Sequence, residues 1–203
     1  MKGLAIMTAA AALLIGGHAA LAHDAAHHQM QMEASGLPTA LSLGNLDSRW
    51  TTQDGEDVTL ASLAGKPTVL SMGYTSCKDM CPAIVADMMW IEKHLPEEGA
   101  GRIRFAFFSI DPARDTPQKL KAYAEDHGFG ASWMLYHGDE DSVRELAAAL
   151  GMGFRPDGHG GFDHAALVTL LDSKGEIIFQ QRGAQASSED LLDKLKTVIE
   201  RAN

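Results

Sequence analysis

The segment TVLSMGYTSCKDMCP, residues 68–82, joins a predicted strand to a predicted helix. The apolar run Thr68–Met72 is typical of a short buried strand. Pro82 suits the first position of a helix, where its missing N–H costs no hydrogen bond. Apolar residues then recur at helical spacing until Pro96 ends the segment. Cys77 and Cys81 therefore lie between the end of a strand and the start of a helix.

Strands and helices alternate on both sides of this segment. Upstream, residues 49–60 predict a β-hairpin that turns at Asp54 and Gly55. Downstream, a glycine-rich loop at residues 155–163 leads into a strand that begins at His164. The remaining patterns predict strands at 103–110, 133–136, 164–171 and 176–181, and helices at 116–128, 142–150 and from Ser187 or Ser188 onward.

This order of elements predicts the fold class. Strands that alternate with helices indicate a mainly parallel sheet covered on both faces. The closing β-hairpin and helix favour a thioredoxin-like α/β fold, in which helices flank a central mixed sheet and an N-terminal β-hairpin precedes it. Residues 40–203 are predicted to form this single domain, because no internal repeat or second boundary is visible.

The N-terminus has the pattern of an export signal. Lys2 provides a positive start, residues 4–15 form a short apolar run, and residues 20–22 (ALA) fit a small-x-small cleavage site. Residues 1–22 are therefore predicted to be a cleaved signal peptide, and the mature protein is expected in the periplasm. The apolar run is shorter than the roughly 20 residues that span a bilayer. An uncleaved segment that anchors the chain in the inner membrane, facing the periplasm, is the alternative.

Residues 23–39 form a predicted disordered tail that is rich in histidine and methionine. The segment lacks apolar periodicity, which is typical of disorder. Its metal-binding side chains are His23, His27, His28, Met30 and Met32. The tail is either a low-complexity leader or an accessory segment that captures copper through imidazole and thioether groups.

Charge and cysteine content exclude two classes of protein. The chain has 27 Asp and Glu against 17 Lys and Arg, which argues against a nucleic-acid partner, because such partners are bound by a basic face. An exported chain with 2 cysteines is not a disulfide-stapled scaffold.

A local cysteine pair can serve thiol chemistry, metal binding or a small structural disulfide. The unpaired N–H groups of a helix start stabilise thiolates, and Lys78 adds a cation beside Cys77. A structural disulfide would gain little from closing so small a loop. Three residues separate the cysteines, whereas disulfide oxidoreductases of this fold normally have two. The wider spacing favours copper(I), which accepts two thiolates and one imidazole, whereas zinc would require a fourth ligand.

The third ligand is predicted to be His164, which opens the strand that should face the cysteine loop. His159, within the glycine-rich loop, is the second candidate. His94 and His127 lie near predicted helix ends and are expected to be solvated, whereas His137 follows a strand end and is given no role.

Three ordered motifs resemble the Sco/SenC family. They are GKPTVL followed by GYTSCKDMCP (residues 65–70 and 73–82), SIDPARDTP (residues 109–117), and Asp163-His164 before an apolar strand. The resemblance implies that Cys77, Cys81 and His164 bind copper and that the protein supplies copper to the CuA centre of cytochrome c oxidase, with the oxidase subunit that carries CuA as the acceptor. Lys78 departs from the family pattern, which usually has proline there.

A binding protein and an enzyme remain as alternatives. The first is a periplasmic copper chaperone, which needs a periplasmic thiol reductase to keep the Cys77–Cys81 pair reduced. The second is a thiol–disulfide oxidoreductase that reduces the cysteines of a copper-acceptor protein. A peroxidase, with Thr75 near the attacking cysteine, is a third reading. Asp111 is read as a turn residue, with an outer partner of the metal or a weak ligand as alternatives, and Asp115 as a residue that suits the helix dipole.

Overall fold

The computed structural model of the protein describes residues 39–99, 101–183 and 188–201. The predicted signal peptide (residues 1–22) and almost all of the predicted tail (residues 23–39) lie outside the described residues, so both remain predictions. No helix in the described part of the chain is long and apolar enough to cross a membrane.

The described chain contains nine strands and four α-helices, together with short 3-10 helices at Leu43–Asn45, Leu60–Leu63 and Glu97–Gly99. The strands are β1 (Arg49–Thr52), β2 (Asp57–Thr59), β3 (Thr68–Gly73), β4 (Arg104–Ser109), β5 (Trp133–Gly138), β6 (Phe154–Pro156), β7 (Phe162–His164), β8 (Leu167–Leu171) and β9 (Ile177–Arg182). The helices are α1 (Met80–Lys93), α2 (Pro117–Asp126), α3 (Glu140–Leu150) and α4 (Ser188–Arg201).

Seven strands form one mixed sheet in the order β2-β1-β5-β4-β3-β8-β9. The strands β3, β4 and β5 are parallel neighbours. On one side of them β8 pairs antiparallel with β3, and β9 pairs antiparallel with β8. On the other side β1 pairs antiparallel with β5, and β2 pairs antiparallel with β1. The hairpin joins the sheet because β1 also pairs with β5. The predicted N-terminal hairpin and central mixed sheet are thus confirmed.

Each face of the sheet carries its own apolar core. Alternate residues of the buried strand β3 face opposite sides, so Val69 packs with one cluster and Leu70 with the other. The first cluster includes apolar residues of α1, α2 and α4, such as Ile84, Leu120 and Leu195. The second includes residues of α3. Helices therefore cover both faces, as the alternation of elements predicted.

The structure changes one boundary close to the cysteines. Helix α1 begins at Met80, two residues before Pro82, so Cys81 lies in its first turn. Asp79 occupies the N-cap position without a side-chain capping bond. The sulfur of Cys77 accepts a hydrogen bond from the N–H of Cys81 instead, at 3.4 Å. The helix can therefore start before Pro82, because the Cys77 sulfur accepts from a backbone N–H of the first turn that a capping oxygen usually binds.

The prediction of one strand from His164 to Leu171 was wrong. His164 ends β7, which pairs with β6 in a separate two-stranded sheet, and the strand of the main sheet begins only at Leu167. The glycine-rich segment is accordingly the turn of a second hairpin. Asp157 organises that turn by accepting hydrogen bonds from the N–H groups of His159 (2.6 Å) and Gly161 (2.9 Å).

Candidate metal centre

Three segments meet where β3 and β4 end and β8 begins. Cys77 follows β3, Cys81 lies in the first turn of α1, and His164 ends β7. The two sulfurs and one ring nitrogen all lie within 4.8 Å of one another, and Cys81 Sγ is 3.2 Å from His164 Nε2. Among the described residues this is the one group of three or more histidine, cysteine or acidic side chains that could hold a metal ion. The structure therefore brings together the three residues that the sequence predicted as ligands.

Cys77 is the half-buried cysteine, and its pKa is lowered. Partial burial opposes ionisation, but hydrogen bonds from the Cys81 thiol and from the N–H groups of Cys81, Asp79 and Met80 outweigh this effect. The helix start thus favours the thiolate of Cys77, which is the form that attacks disulfides and binds metals.

Cys81 has the opposite character. Its side chain is 1% exposed, and burial together with the hydrogen bond to Cys77 raises its pKa. The two thiols lie four residues apart on one segment, and their pKa values are shifted in opposite directions. Cys77 therefore ionises more readily than Cys81, and a metal that binds both sulfurs displaces the Cys81 proton.

We expect this asymmetry to appear in alkylation rates. Iodoacetamide should modify Cys77 of the reduced, metal-free protein at least about tenfold faster than Cys81, because only thiolates react and Cys81 is buried. The Cys77 rate should rise with pH, and the midpoint of this rise should lie below the ordinary cysteine pKa. Peptide mass spectrometry after timed quenching measures both rates.

The control for this experiment is the same reaction in concentrated urea. There the two cysteines lose their different surroundings and should react at similar rates. Equal rates in the folded protein would contradict the assignment of Cys77 as the more readily ionised cysteine.

His164 presents the nitrogen that a metal requires. Its Nδ1 lies 3.1 Å from the carbonyl oxygen of Ala165, and a carbonyl can only accept, so Nδ1 carries the hydrogen and the lone pair of Nε2 faces Cys81. An imidazole that is fixed in this way by its other nitrogen is the usual arrangement in metal sites. Two sulfurs and one imidazole fit copper(I), and no carboxylate joins this group among the described residues.

Gly73, the last residue of β3, lies directly beneath the buried sulfur. A Cβ atom at this position would be 2.9 Å from Cys81 Sγ and 3.0 Å from Phe107 Cζ. Every larger residue would therefore displace the Cys81 sulfur or the Phe107 ring. The sequence shows a glycine before the cysteines but not what lies over it, since both contacts come from other segments.

Asp115 has a role that the sequence interpretation missed. Its side chain is fully buried and accepts hydrogen bonds from Thr75 N (2.9 Å), Thr75 Oγ1 (2.6 Å) and Ser109 Oγ (2.7 Å). The carboxylate thus holds the loop that leads to Cys77 against the end of β4. A peroxidase would need the Thr75 hydroxyl to contact peroxide. In this structure that hydroxyl donates its hydrogen to Asp115 instead.

Tyr74 is a second residue that the sequence did not single out. Its hydroxyl accepts a hydrogen bond from Phe162 N at 3.2 Å, and its ring contacts both Phe162 and His164 edge-on, with centroid separations of 5.5 and 6.0 Å. Tyr74 therefore links the cysteine segment to the hairpin that carries His164. Its position three residues before Cys77 was the signal available in the sequence.

The other candidate histidines lie outside the three-residue group. His159 is exposed at the turn of the β6–β7 hairpin. His94 and His127 follow α1 and α2, where each Nδ1 lies 2.8 Å from a carbonyl oxygen of its own helix. His137 Nδ1 lies 2.9 Å from the backbone oxygen of Asp115. His94 is exposed, as predicted, whereas His127 is half-buried, and none of these four histidines joins the three-residue group.

Comparison with known proteins gives one consistent result. The protein family described as SCO1/SenC matches residues 45–200. The chain is 27% identical to a SCO1 protein homolog of Bacillus subtilis over 150 residues, which cover 71% of this chain and 77% of the relative. The match spans 43% to 77% of the length of the curated relatives.

Solved structures agree on the fold. ScoI of Bradyrhizobium japonicum, with copper bound, is 28% identical, with a TM-score of 0.60 over 74% of this chain and 96% of its own. BsSco, described as carrying a disulfide switch and as a member of the Sco family of cytochrome c oxidase assembly proteins, is 22% identical, with a TM-score of 0.66 over 81% of this chain and 98% of its own. The predicted thioredoxin-like fold is confirmed.

Proposed function

Because the chain belongs to the SCO1/SenC family, we propose that it is a copper chaperone that binds copper(I) through Cys77, Cys81 and His164 and supplies it to the CuA centre of cytochrome c oxidase. The observation that carries this proposal is the convergence of two sulfurs and one imidazole nitrogen within 4.8 Å. Copper bound to ScoI of Bradyrhizobium japonicum supports the choice of metal, as does the soft donor set of the site.

The three side chains differ in exposure, which suggests different roles in binding and releasing copper. Cys81 is buried, whereas Cys77 and His164 are half-buried. An incoming thiolate of an acceptor protein can therefore reach the metal from the side of Cys77 and His164. Cys81 remains as the last ligand, and it regains its proton when the metal leaves, because burial favours its neutral form.

The proposed compartment is the periplasm. This proposal is supported by the predicted export signal of residues 1–22 and by the partner that the resemblance implies, the oxidase subunit carrying CuA. The histidine- and methionine-containing tail, residues 23–39, would add a second group of copper-binding side chains that precedes the domain in the sequence.

A second function, thiol–disulfide exchange with the copper acceptor, is favoured by one observation. Cys77 is the more accessible sulfur and its pKa is lowered, whereas Cys81 is buried and its pKa is raised, so Cys77 suits the attacking role and Cys81 that of the protected partner. The same two residues can thus carry a metal or exchange a disulfide, and the redox state of the acceptor decides which reaction is available.

A transfer experiment tests the chaperone proposal. The reduced mature protein, loaded with one copper(I), is mixed with the metal-free soluble domain of an oxidase subunit that carries CuA, and copper in each protein is measured after separation. We expect copper to move to the acceptor when its cysteines are reduced. Protein with Cys81→Ser should deliver none above the background of free copper.

The alternative makes a different prediction in the same mixture. When the acceptor cysteines are oxidised and the protein carries no copper, a thiol–disulfide oxidoreductase would reduce them, and the Cys77–Cys81 pair would become a disulfide. Copper that stays on the loaded protein in the presence of a reduced acceptor would overturn the chaperone proposal.

A further inference from the structure

The hairpin that carries His164 is separate from the main sheet. Strands β6 and β7 pair only with each other among the described strands. Close to His164, the hairpin is tied to its own neighbouring chain by Ala165 N, which donates to Gly153 O at 3.2 Å. The position of the imidazole relative to the cysteines therefore depends on what fixes the rest of this hairpin.

Arg114 contacts the turn of the hairpin from the segment after β4. Its Nη1 donates a hydrogen bond to the carbonyl oxygen of Gly160. Its guanidinium carbon lies 6.0 Å from the centroid of the Tyr74 ring, and Tyr74 in turn accepts from the N–H of Phe162. Arg114 thus binds the turn at Gly160, and Tyr74 binds the start of β7 at Phe162.

The guanidinium is itself held by a buried carboxylate. Arg114 Nε donates to Asp111, which is 3% exposed. The N–H of Asp111 donates to Ser109 Oγ at 3.0 Å, and Ser109 Oγ donates to Asp115 at 2.7 Å. Because Asp115 also accepts from Thr75, a single hydrogen-bonded segment, residues 109–115, reaches the cysteine loop at one end and the histidine hairpin at the other.

We propose that Arg114 is a positioning residue for the metal site, which holds the β6–β7 hairpin so that His164 faces Cys81. Its planar group can donate to a carboxylate and to a carbonyl at the same time from a fixed fork, which a lysine ammonium cannot reproduce. The proposal rests on the proposed function for the identity of the metal, but not for the contact between Arg114 and the hairpin.

Copper(I) affinity of the full mature chain is the first measurement. Arg114→Gln should weaken copper binding about 10- to 100-fold, which is the range for residues that orient a metal ligand. The matched control is Arg144→Gln, because Arg144 is likewise an arginine paired with carboxylates, here Glu140 and Asp141, but on an exposed face of α3. The control should change affinity less than about twofold.

A double substitution distinguishes positioning from a general effect on the fold. If Arg114 acts through His164, Arg114→Gln should add no further loss of affinity to protein that already carries His164→Ala. A loss by the same factor with and without His164 would overturn the proposal. Urea unfolding shows whether Arg114→Gln folds, and Arg114→Lys serves in its place if it does not.

Hydrogen exchange of the metal-free protein tests the contact without copper. The amide of Phe162 should exchange about tenfold faster in Arg114→Gln, because the hairpin opens more often, and Arg144→Gln should leave it unchanged. Unchanged exchange in Arg114→Gln would also overturn the proposal. If the wild-type protein bound no copper, the proposed function would fail, while this measurement would still decide whether Arg114 holds the hairpin.

Discussion

Replacement of Cys81 by serine is expected to abolish tight copper(I) binding to the folded domain. Cys81 is the buried ligand and contacts His164 Nε2 at 3.2 Å. A hydroxyl is a hard, weakly acidic donor that cannot replace a thiolate for copper(I). We expect a loss of at least about a thousandfold in affinity, which corresponds to about 4 kcal/mol. Competition with a chromogenic copper(I) chelator measures this loss.

The three ligands should differ in the size of their effects. Cys77→Ser should also abolish tight binding, whereas His164→Ala should weaken it less, because two thiolates alone still form a linear copper(I) site. His94→Ala is the matched control, since His94 follows α1 and lies outside the group. If Cys77→Ser, Cys81→Ser and His164→Ala all kept wild-type affinity, the metal would be bound elsewhere in the chain.

Oxidation of the Cys77–Cys81 pair is expected to block the same site. The two sulfurs belong to one group whose atoms lie within 4.8 Å of one another, and both thiols are free. Diamide can therefore take two electrons and two protons from them and leave one disulfide. A disulfide lacks the two thiolates that bind copper(I), so we expect affinity at this site to fall by at least about a thousandfold.

The oxidation experiment uses free-thiol counting beside the copper titration. Affinity should return fully when a reductant restores both thiols. Diamide-treated Cys81→Ser is the control for the thiol count, because it cannot form the internal disulfide. Equal copper affinity of the oxidised and reduced wild-type proteins would contradict the assigned ligands and also the need for a reductase before copper loading.

Local pattern was sufficient for the strand and helix around the cysteines. The apolar run of β3 and the helical spacing of α1 depend on neighbours within a few residues, and so does the hairpin turn at Gly55, whose φ is +86°. The boundary at Pro82 was two residues late, because the sulfur of Cys77 replaces a capping oxygen. That substitution follows from the folded loop and not from residue preference.

The second hairpin shows where local pattern was insufficient. Residues 155–163 contain several glycines, which indicate a loop, and the apolar run after His164 indicates a strand. The register between Phe154 and His164 and the contacts of Gly160 and Phe162 with Arg114 and Tyr74 decide the actual arrangement. Arg114 and Tyr74 are distant from the hairpin in sequence, so no window of neighbouring residues contains these contacts.

By itself, the sequence determined the α/β order of elements, the place of two cysteines at a helix start and the short set of histidines from which a third ligand could come, because all of these are properties of short segments. Only the tertiary structure brought His164 to Cys81 across 83 residues. It also gave two chemically identical cysteines opposite pKa shifts. Burial and long-range hydrogen bonds set both results, and they exist only once the sheet, α1 and the β6–β7 hairpin have packed together.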